Sequence, residues 1–272
     1  NLKENTVALL CLSTDYIAGK MMLVRALTLG WQLDVVKPES NPLKGIEKQY
    51  DFSAMVPLQL RSSLNELHKI DKLIVGGGVV TADLIAAIQN ISTKVFATYG
   101  MTETITHIAV KKLNDLPLMA ESRSVYKTLP NILLSKDDRN CLVIEAPKVT
   151  IEKIVTNDVV NIVSKTTFEW LGRIDNVINS GGVKLFPEQI EKKLSTIIDE
   201  SFFVSSKKDE SLGESLILVV EGLVDSDVLK KAIKNLKNLD TYEIPKEIFS
   251  IPQFVTTNSG KLQRKQTLEL LK

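Results

Sequence analysis

The chain has few of the residues that build stapled, metal-bound or membrane proteins. Two cysteines and two histidines in 272 residues give no set with the spacing of a zinc site or a disulfide framework. Cys11 and Cys141 both sit in apolar, strand-like runs and read as buried reduced thiols of a cytoplasmic protein. The longest uninterrupted apolar runs, such as VALLCL at 7–12, fall far short of the ~20 residues of a membrane span. An excess of one charge is also missing. Lys plus Arg number 34 against 33 Asp plus Glu, for a net +1, so no global field argues for nucleic acid or anionic lipid as a partner. The remaining composition, 44% hydrophobic and 25% charged, excludes a disordered tail or a fibrous repeat.

What is present is a repeating strand-then-helix rhythm without internal repeats, in a length that fits about two domains of ~150 residues. Residues 7–12 read as a buried strand and 16–29 as a helix with Ile17, Met21, Val24 and Leu27 near helical spacing. Gly30 stops that helix, and 33–38 is the next strand. Pro57 opens a helix bearing Leu60, Leu64 and Leu67. LIVGGG at 73–78 is a strand running into glycines, 81–90 a helix, and KVFATYG at 94–100 a strand. This alternation predicts an α/β fold with a mostly parallel sheet covered on both faces. Residues 104–170 hold short β-rich pieces separated by polar turns, which predicts a smaller antiparallel sheet or barrel beside the α/β layer.

From about residue 172 the texture changes again. GRIDNVINSGGVKLFPEQIEKKL at 172–194 packs glycines, Pro187 at a first helical turn, and a stripe continued by Ile190, Leu194, Ile197 and Ile198. Strands SFFVSS and ESLILVV follow, then a helix from Asp227 to Leu236 with Val228, Leu229, Ile233 and Leu236 on one face, then the strand EIFSI. These elements make a self-sufficient α+β unit. We place the domains at 1–171 and 172–272, with the boundary at 171–176.

Several segments carry chemistry, each beside a plainer structural reading. Gly76-Gly77-Gly78 is either a tight turn or a place where backbone N–H groups approach a ligand. In YGMTET at 99–104, Thr102 and Glu103 are either capping residues or, with the Tyr99 ring, groups that meet phosphate, Mg²⁺ and a base. Asp158 is one carboxylate in the apolar strand VTNDVV; it is a turn aspartate or a bidentate acceptor for vicinal hydroxyls. GRID at 172–175 reads as a linker ion pair. Lys261, in TTNSGKLQR, is a loop lysine outside any phosphate-binding P-loop pattern, since Leu262 stands where Ser or Thr is required.

Taken in order, the strand-end glycines, YGMTET, the T-x-D at 156–158, GRIDNVINSGGVKLFPEQIE and NSGKLQR resemble the blocks of the adenylate-forming superfamily of acyl- and aryl-CoA ligases, luciferases and peptide-synthetase adenylation domains. The resemblance covers essentially the whole chain. It implies a large N-terminal domain, here incomplete at its start, and a small mobile C-terminal domain. It also implies ATP, Mg²⁺ and coenzyme A as partners, with small-molecule substrates, no nucleic acid and no membrane span. A carboxylic acid would attack the α-phosphate of ATP to give an acyl-adenylate, which the thiol of coenzyme A then converts to a thioester.

Residue by residue, Lys261 matches the adenylation lysine, Glu103 the Mg²⁺-associated glutamate and Thr102 the phosphate-contacting hydroxyl. Tyr99 matches the adenine-stacking ring, with Gly100 beside it, and Asp158 and Arg173 match the ribose-binding pair. Asp175 matches the hinge, and Gly181 and Gly182 match the segment lining the pantetheine tunnel. Gly76, Gly77 and Gly78 fall at the acid-binding position. Within the superfamily, the compact core, the YIAGKMMLVRAL helix at 16–27 and the INSGGVKLFPEQIE wording resemble the branch that activates a keto-aryl dicarboxylate. Its second carboxylate would stay anionic, and Lys20 or Arg25 would pair with it; the plainer reading of either is a snorkelling surface cation.

Departures from the pattern set further expectations. The Ser/Thr/Gly-rich phosphate loop is not found, and the chain starts at Asn1 directly in a strand-like run, with neither a signal nor a transit peptide read there. We expect the true beginning to lie upstream, and this chain alone to adenylate poorly while still binding AMP. Tyr16 stands where related ligases carry a histidine. Asn157 replaces the usual glycine and is expected to tolerate a left-handed turn. The rival readings are another aryl- or fatty-acyl-CoA ligase, a peptide-synthetase adenylation domain, or a non-catalytic remnant that senses AMP or an acyl-adenylate.

Overall fold

The computed structural model describes residues 2–114, 125–257 and 262–271. They divide into two compact units: Asn1–Thr156 with Val160–Trp170, and Asn157–Val159 with Leu171–Lys272.

The first unit begins with β1 (Val7–Leu10), α1 (Ile17–Leu29), β2 (Gln32–Val35), β3 (Tyr50–Met55) and α2 (Pro57–Ser62). It continues through β4 (Ile70–Val75), α3 (Ala82–Ala87) and β5 (Lys94–Gly100). These strands lie parallel in the order β2-β1-β3-β4-β5. The core against one face gathers Leu9, Met55, Leu60, Leu73, Val75, Leu84 and Val95, all at most 1% exposed. Against the other, α1 supplies Met22 and Ala26 to Ala8, Leu10, Phe52 and Trp31.

The β-rich segment holds β6 (His107–Lys112), β7 (Val125–Thr128), β8 (Leu133–Lys136), β9 (Cys141–Glu145), β10 (Ile154–Ser164) and β11 (Thr167–Arg173). It is not a separate layer. β6 pairs antiparallel with β5, so the strand order runs on as β6-β7-β11-β10-β9-β8 in one eleven-stranded path. Its own core centres on Phe168, Leu142 and Ile144, all fully buried.

Two details of α1 correct the sequence reading. Val24 and Leu27, expected on the buried stripe, are 46% and 85% exposed, while Gly19, Met22 and Ala26 are buried. The backbone sets this rotation: a β-carbon on Gly19 would fall inside the Ser13 carbonyl. The helix therefore presents its smallest residue, not its most apolar stripe, at the closest approach. Gly30 ends it as expected, in the left-handed conformation (φ 66°, ψ 41°) with its N–H on the Ala26 carbonyl.

The second unit contains β12 (Ile178–Ser180), β13 (Val183–Leu185), α4 (Pro187–Leu194), β14 (Phe202–Asp209), β15 (Gly213–Glu221), α5 (Ser226–Lys234), β16 (Glu247–Ile251) and α6 (Arg264–Glu269). Strand order is β13-β12-β15-β14, with β16 parallel to β15. Ile190, Leu194, Ile198 and Ile233 pack on Val204, Leu216, Leu218 and Val220. Ile197 and Val228, both expected on apolar stripes, are 36% and 62% exposed. α4 ends at Leu194, so helical spacing no longer holds at Ile197. Val228 lies in the first turn of α5, where Asp225 Oδ1 caps the Asp227 and Val228 N–H groups at 3.0 Å. Among the described residues no helix is long and apolar enough to cross a membrane.

Candidate functional site

In the first unit the chemistry-bearing residues collect where parallel strands end. β4 runs out at Val75 into Gly76-Gly77-Gly78, and its neighbour β5 runs out through Tyr99 and Gly100. The carboxyl edge of a parallel sheet is where such folds place ligands, because loops diverge there and leave a crevice.

The glycines have separable reasons. A β-carbon on Gly76 would stand 2.5 Å from Thr98 Oγ1, a hydroxyl that donates to the Val75 carbonyl at 3.2 Å. Gly77 takes φ +77°, which favours glycine on backbone grounds. Gly78 faces the Pro57 ring at ordinary contact distance. Gly100 is required by backbone packing, since a β-carbon there would meet the Thr106 carbonyl and His107 Cα at 2.5 Å.

Tyr99 is half-buried, with its ring edge-on to Phe168 at 5.1 Å and tilted against Tyr126 at 5.8 Å. Beyond Gly100 the chain makes a 3₁₀ turn, Thr102–Thr104. The capping work falls to Thr104, not to Thr102 or Glu103. Thr104 Oγ1 accepts the Met101 N–H at 3.0 Å and donates to the Thr106 carbonyl at 2.7 Å. Thr102 and Glu103 are left exposed. The turn closes on Ile105 at φ +63°, a costly conformation for a β-branched residue and of the kind found at functional sites.

Sequence reasoning singled out Arg25 but missed Thr106 and His107 beside this turn. Arg25 Nη2 donates to Thr106 Oγ1 at 2.6 Å, and His107 Nδ1 lies 3.3 Å from the same hydroxyl. Among the described residues no carboxylate pairs with Arg25. Burial lowers its pKa, and burial together with the nearby guanidinium pushes His107 down to about 4. A partly buried cation beside a neutral imidazole is an arrangement that favours an incoming anion. Lys20, the other candidate cation, is exposed. Thr106 and His107 follow YGMTET almost directly, which was the available signal. Tyr16 is 59% exposed ahead of α1.

The second unit carries its own set. Asp158, 7% exposed, lies inside β10 and not in a turn. Its Oδ1 is 3.6 Å from Arg173 Nη1, and the other arm of that guanidinium reaches Asp175 Oδ2 at 3.4 Å. The pairing supplies the partner that a buried acid needs. Asn157 has no positive φ; it is extended within β10, so the expected left-handed turn is absent there. Gly181 (φ +58°) and Gly182 (φ +83°) are the two-residue loop joining β12 to β13, the geometry of a type I′ hairpin. Lys261 lies outside the described residues.

Comparison with known proteins supplies the family. A crystal structure from Dyadobacter fermentans, described as an acyl-CoA synthetase (AMP-forming)/AMP-acid ligase II-like protein, is 37% identical over all of this chain and 80% of its own, with a TM-score of 0.61. The chain belongs to the adenylate-forming superfamily of AMP-forming acyl-CoA synthetases. Among other members, the 2-succinylbenzoate–CoA ligase of Staphylococcus epidermidis is 26% identical over 97% of this chain and 61% of its own length. The o-succinylbenzoate coenzyme A synthetase of Bacillus subtilis, solved with ATP and magnesium ion, shares the fold at a TM-score of 0.82 and 21% identity, over 98% of this chain and 62% of that one. The chain thus spans about three fifths of these two synthetases. No family model matches the chain.

Proposed function

We propose that the chain serves an ATP-dependent acid–CoA ligase whose acid is an aryl dicarboxylate of the o-succinylbenzoate type. The single observation that carries the substrate class is Arg25: half-buried, hydrogen-bonded to Thr106, and without a carboxylate partner among the described residues. The reacting carboxylate loses its charge on activation, whereas a second carboxylate stays anionic and needs a fixed cation. The S. epidermidis ligase carries 2-succinylbenzoate in its name and the B. subtilis synthetase o-succinylbenzoate, which supports the same reading.

In this proposal Tyr99 offers the adenine a ring already braced from behind by Phe168 and Tyr126. Asp158 accepts the ribose hydroxyls, held by Arg173. Thr102 meets phosphate oxygen. Glu103 offers Mg²⁺ one exposed carboxylate, which suits an ion that keeps several waters and takes its other ligands from phosphates. When bound, the ion neutralises phosphate charge. Lys261 supplies the ammonium for the charge developing on the α-phosphoryl group. Gly181 and Gly182 line the thiol's approach, and residues 172–176 with Asp175 form the hinge. A cytoplasmic setting goes with the two buried thiols, Cys11 and Cys141.

The test is binding, which does not depend on turnover. A non-hydrolysable acyl-adenylate analogue of o-succinylbenzoate should bind at least tenfold more tightly than its benzoate counterpart, and Arg25→Ala should erase that difference while Lys20→Ala leaves it. Equal affinity for both analogues in the unaltered chain points instead to another aryl- or fatty-acyl-CoA ligase. No binding of either analogue or of AMP sinks the whole reading.

A further inference from the structure

Arg25, Thr106 and His107 form a chain of hydrogen bonds whose direction follows from what each group can do. A guanidinium only donates, so Thr106 Oγ1 is the acceptor in its 2.6 Å contact with Arg25 Nη2. The hydroxyl hydrogen must then go elsewhere. Among the described residues its other hydrogen-bond partner is His107 Nδ1, at 3.3 Å. Nδ1 therefore accepts, since the opposite sense would leave the hydroxyl hydrogen in this half-buried spot without an acceptor. A neutral imidazole carries one proton, which then sits on Nε2. Burial and the neighbouring guanidinium keep the ring neutral, with its pKa pushed down to about 4.

Backbone contacts hold this relay in place. Thr104 Oγ1 donates to the Thr106 carbonyl at 2.7 Å. His107 opens β6 opposite Gly100, where the two backbones leave no room for a β-carbon on the glycine. Both ends of the relay still have donors to offer. Arg25 Nη1 reaches only the Met22 sulfur, at 3.8 Å, a weak acceptor. Nε2 of His107 has no partner among the described residues, and it is not one of the sealed polar atoms that lack one. It therefore reaches open space.

We propose that His107 is a specificity-determining residue that sets a neutral N–H donor beside the Arg25 cation, selecting an acid with a ketone oxygen next to its second carboxylate. Thr106 is the positioning residue that fixes which nitrogen of the ring donates. The carboxylate takes the guanidinium by charge, and the ketone, which has no charge, takes the imidazole N–H. In o-succinylbenzoate these two acceptors stand on adjacent ring carbons, as the two donors stand on either side of one hydroxyl. A site built to donate to a substrate oxygen rejects an analogue that lacks it, because the donor is left unpaired. The inference rests on the substrate class proposed for Arg25, but the protonation of His107 does not.

The probes are two non-hydrolysable acyl-adenylate analogues of o-succinylbenzoate, one with its ketone and one with a methylene in its place. The unaltered chain should bind the ketone analogue about 10- to 100-fold more tightly. His107→Phe keeps a flat ring without the donor; it should bring the two within twofold while both still bind more tightly than the benzoate counterpart. Ring nitrogen chemical shifts at neutral pH should show His107 protonated on Nε2, and Thr106→Val should bring in the Nδ1-protonated form. Should His107→Phe fail to fold, the shifts and the two affinities of the unaltered chain decide. A proton on Nδ1 in the unaltered chain, equal affinity for the ketone and methylene analogues, or a ketone preference that survives His107→Phe overturns the proposal. An unaltered chain that prefers neither analogue to the benzoate counterpart counts against the proposed function and takes the ketone selection with it, and the shifts then still decide how His107 is protonated.

Discussion

Gly172 and Glu188 share a space that holds only one side chain. A β-carbon on Gly172 would overlap the Glu188 carboxylate, and Gly172 also has φ +152°. Glu188 cannot easily yield, since its side chain is 8% exposed and is bound to Asn176. Gly172→Ala should therefore destabilise the second unit by about 1–3 kcal/mol. A double-mutant cycle with Glu188→Ala, read by denaturant unfolding, should recover part of that loss. Strict additivity would mean that the strain is in the backbone alone.

The Asp158–Arg173 pair should be felt as nucleotide affinity. Asp158→Asn keeps the shape and removes the charge that accepts hydroxyls, and charge-assisted hydrogen bonds contribute about 1.5–3 kcal/mol. AMP binding by calorimetry should weaken roughly 10- to 100-fold. An unchanged dissociation constant would leave Asp158 as a structural partner of Arg173.

His107 should make the first unit acid-sensitive. Its ring is held down to about 4 in the folded chain, against 6.5 as the ordinary value, by burial first and Arg25 second. Between pH 6.5 and 4 the unfolded chain takes up a proton that the folded ring refuses, so stability falls as pH falls and is fully present above that window. At about 1.4 kcal/mol per pH unit the loss approaches roughly 3 kcal/mol. His107→Gln should flatten this part of the pH–stability curve. A slope that persists in the variant assigns it to other groups.

Cys11 should be chemically silent. Burial pushes its thiol up to about 11, and the thiol donates to the Ala54 carbonyl at 3.3 Å. Relative to an ordinary thiol the thiolate fraction is about 100-fold lower, and exclusion of reagent slows the reaction further. Alkylation at pH 8, followed residue by residue, should leave Cys11 unmodified until denaturant is added.

Most of the fold was legible because strand ends and helix starts are written locally. Pro57 and Pro187 open helices where first-turn prolines should, and Gly30 closes one. The parallel strands read as apolar runs between glycines because both faces are covered. What escaped was orientation. The buried face of α1 was misread because a glycine, which carries no hydrophobic signal, sets its rotation. Arg25 and Lys20 looked equivalent on the same helix, yet the first reaches Thr106 and the second faces solvent.

The sequence by itself determined the family, through the order and spacing of short blocks whose residue types the chemistry requires. Tertiary structure alone decided which of those residues are held and by what. Long-range partners set burial, charge pairing and direction: Thr106 for Arg25, Arg173 for Asp158, Glu191 for Arg264. Each is a contact between segments that local periodicity cannot relate, because the forces that fix it act across space and not along the chain.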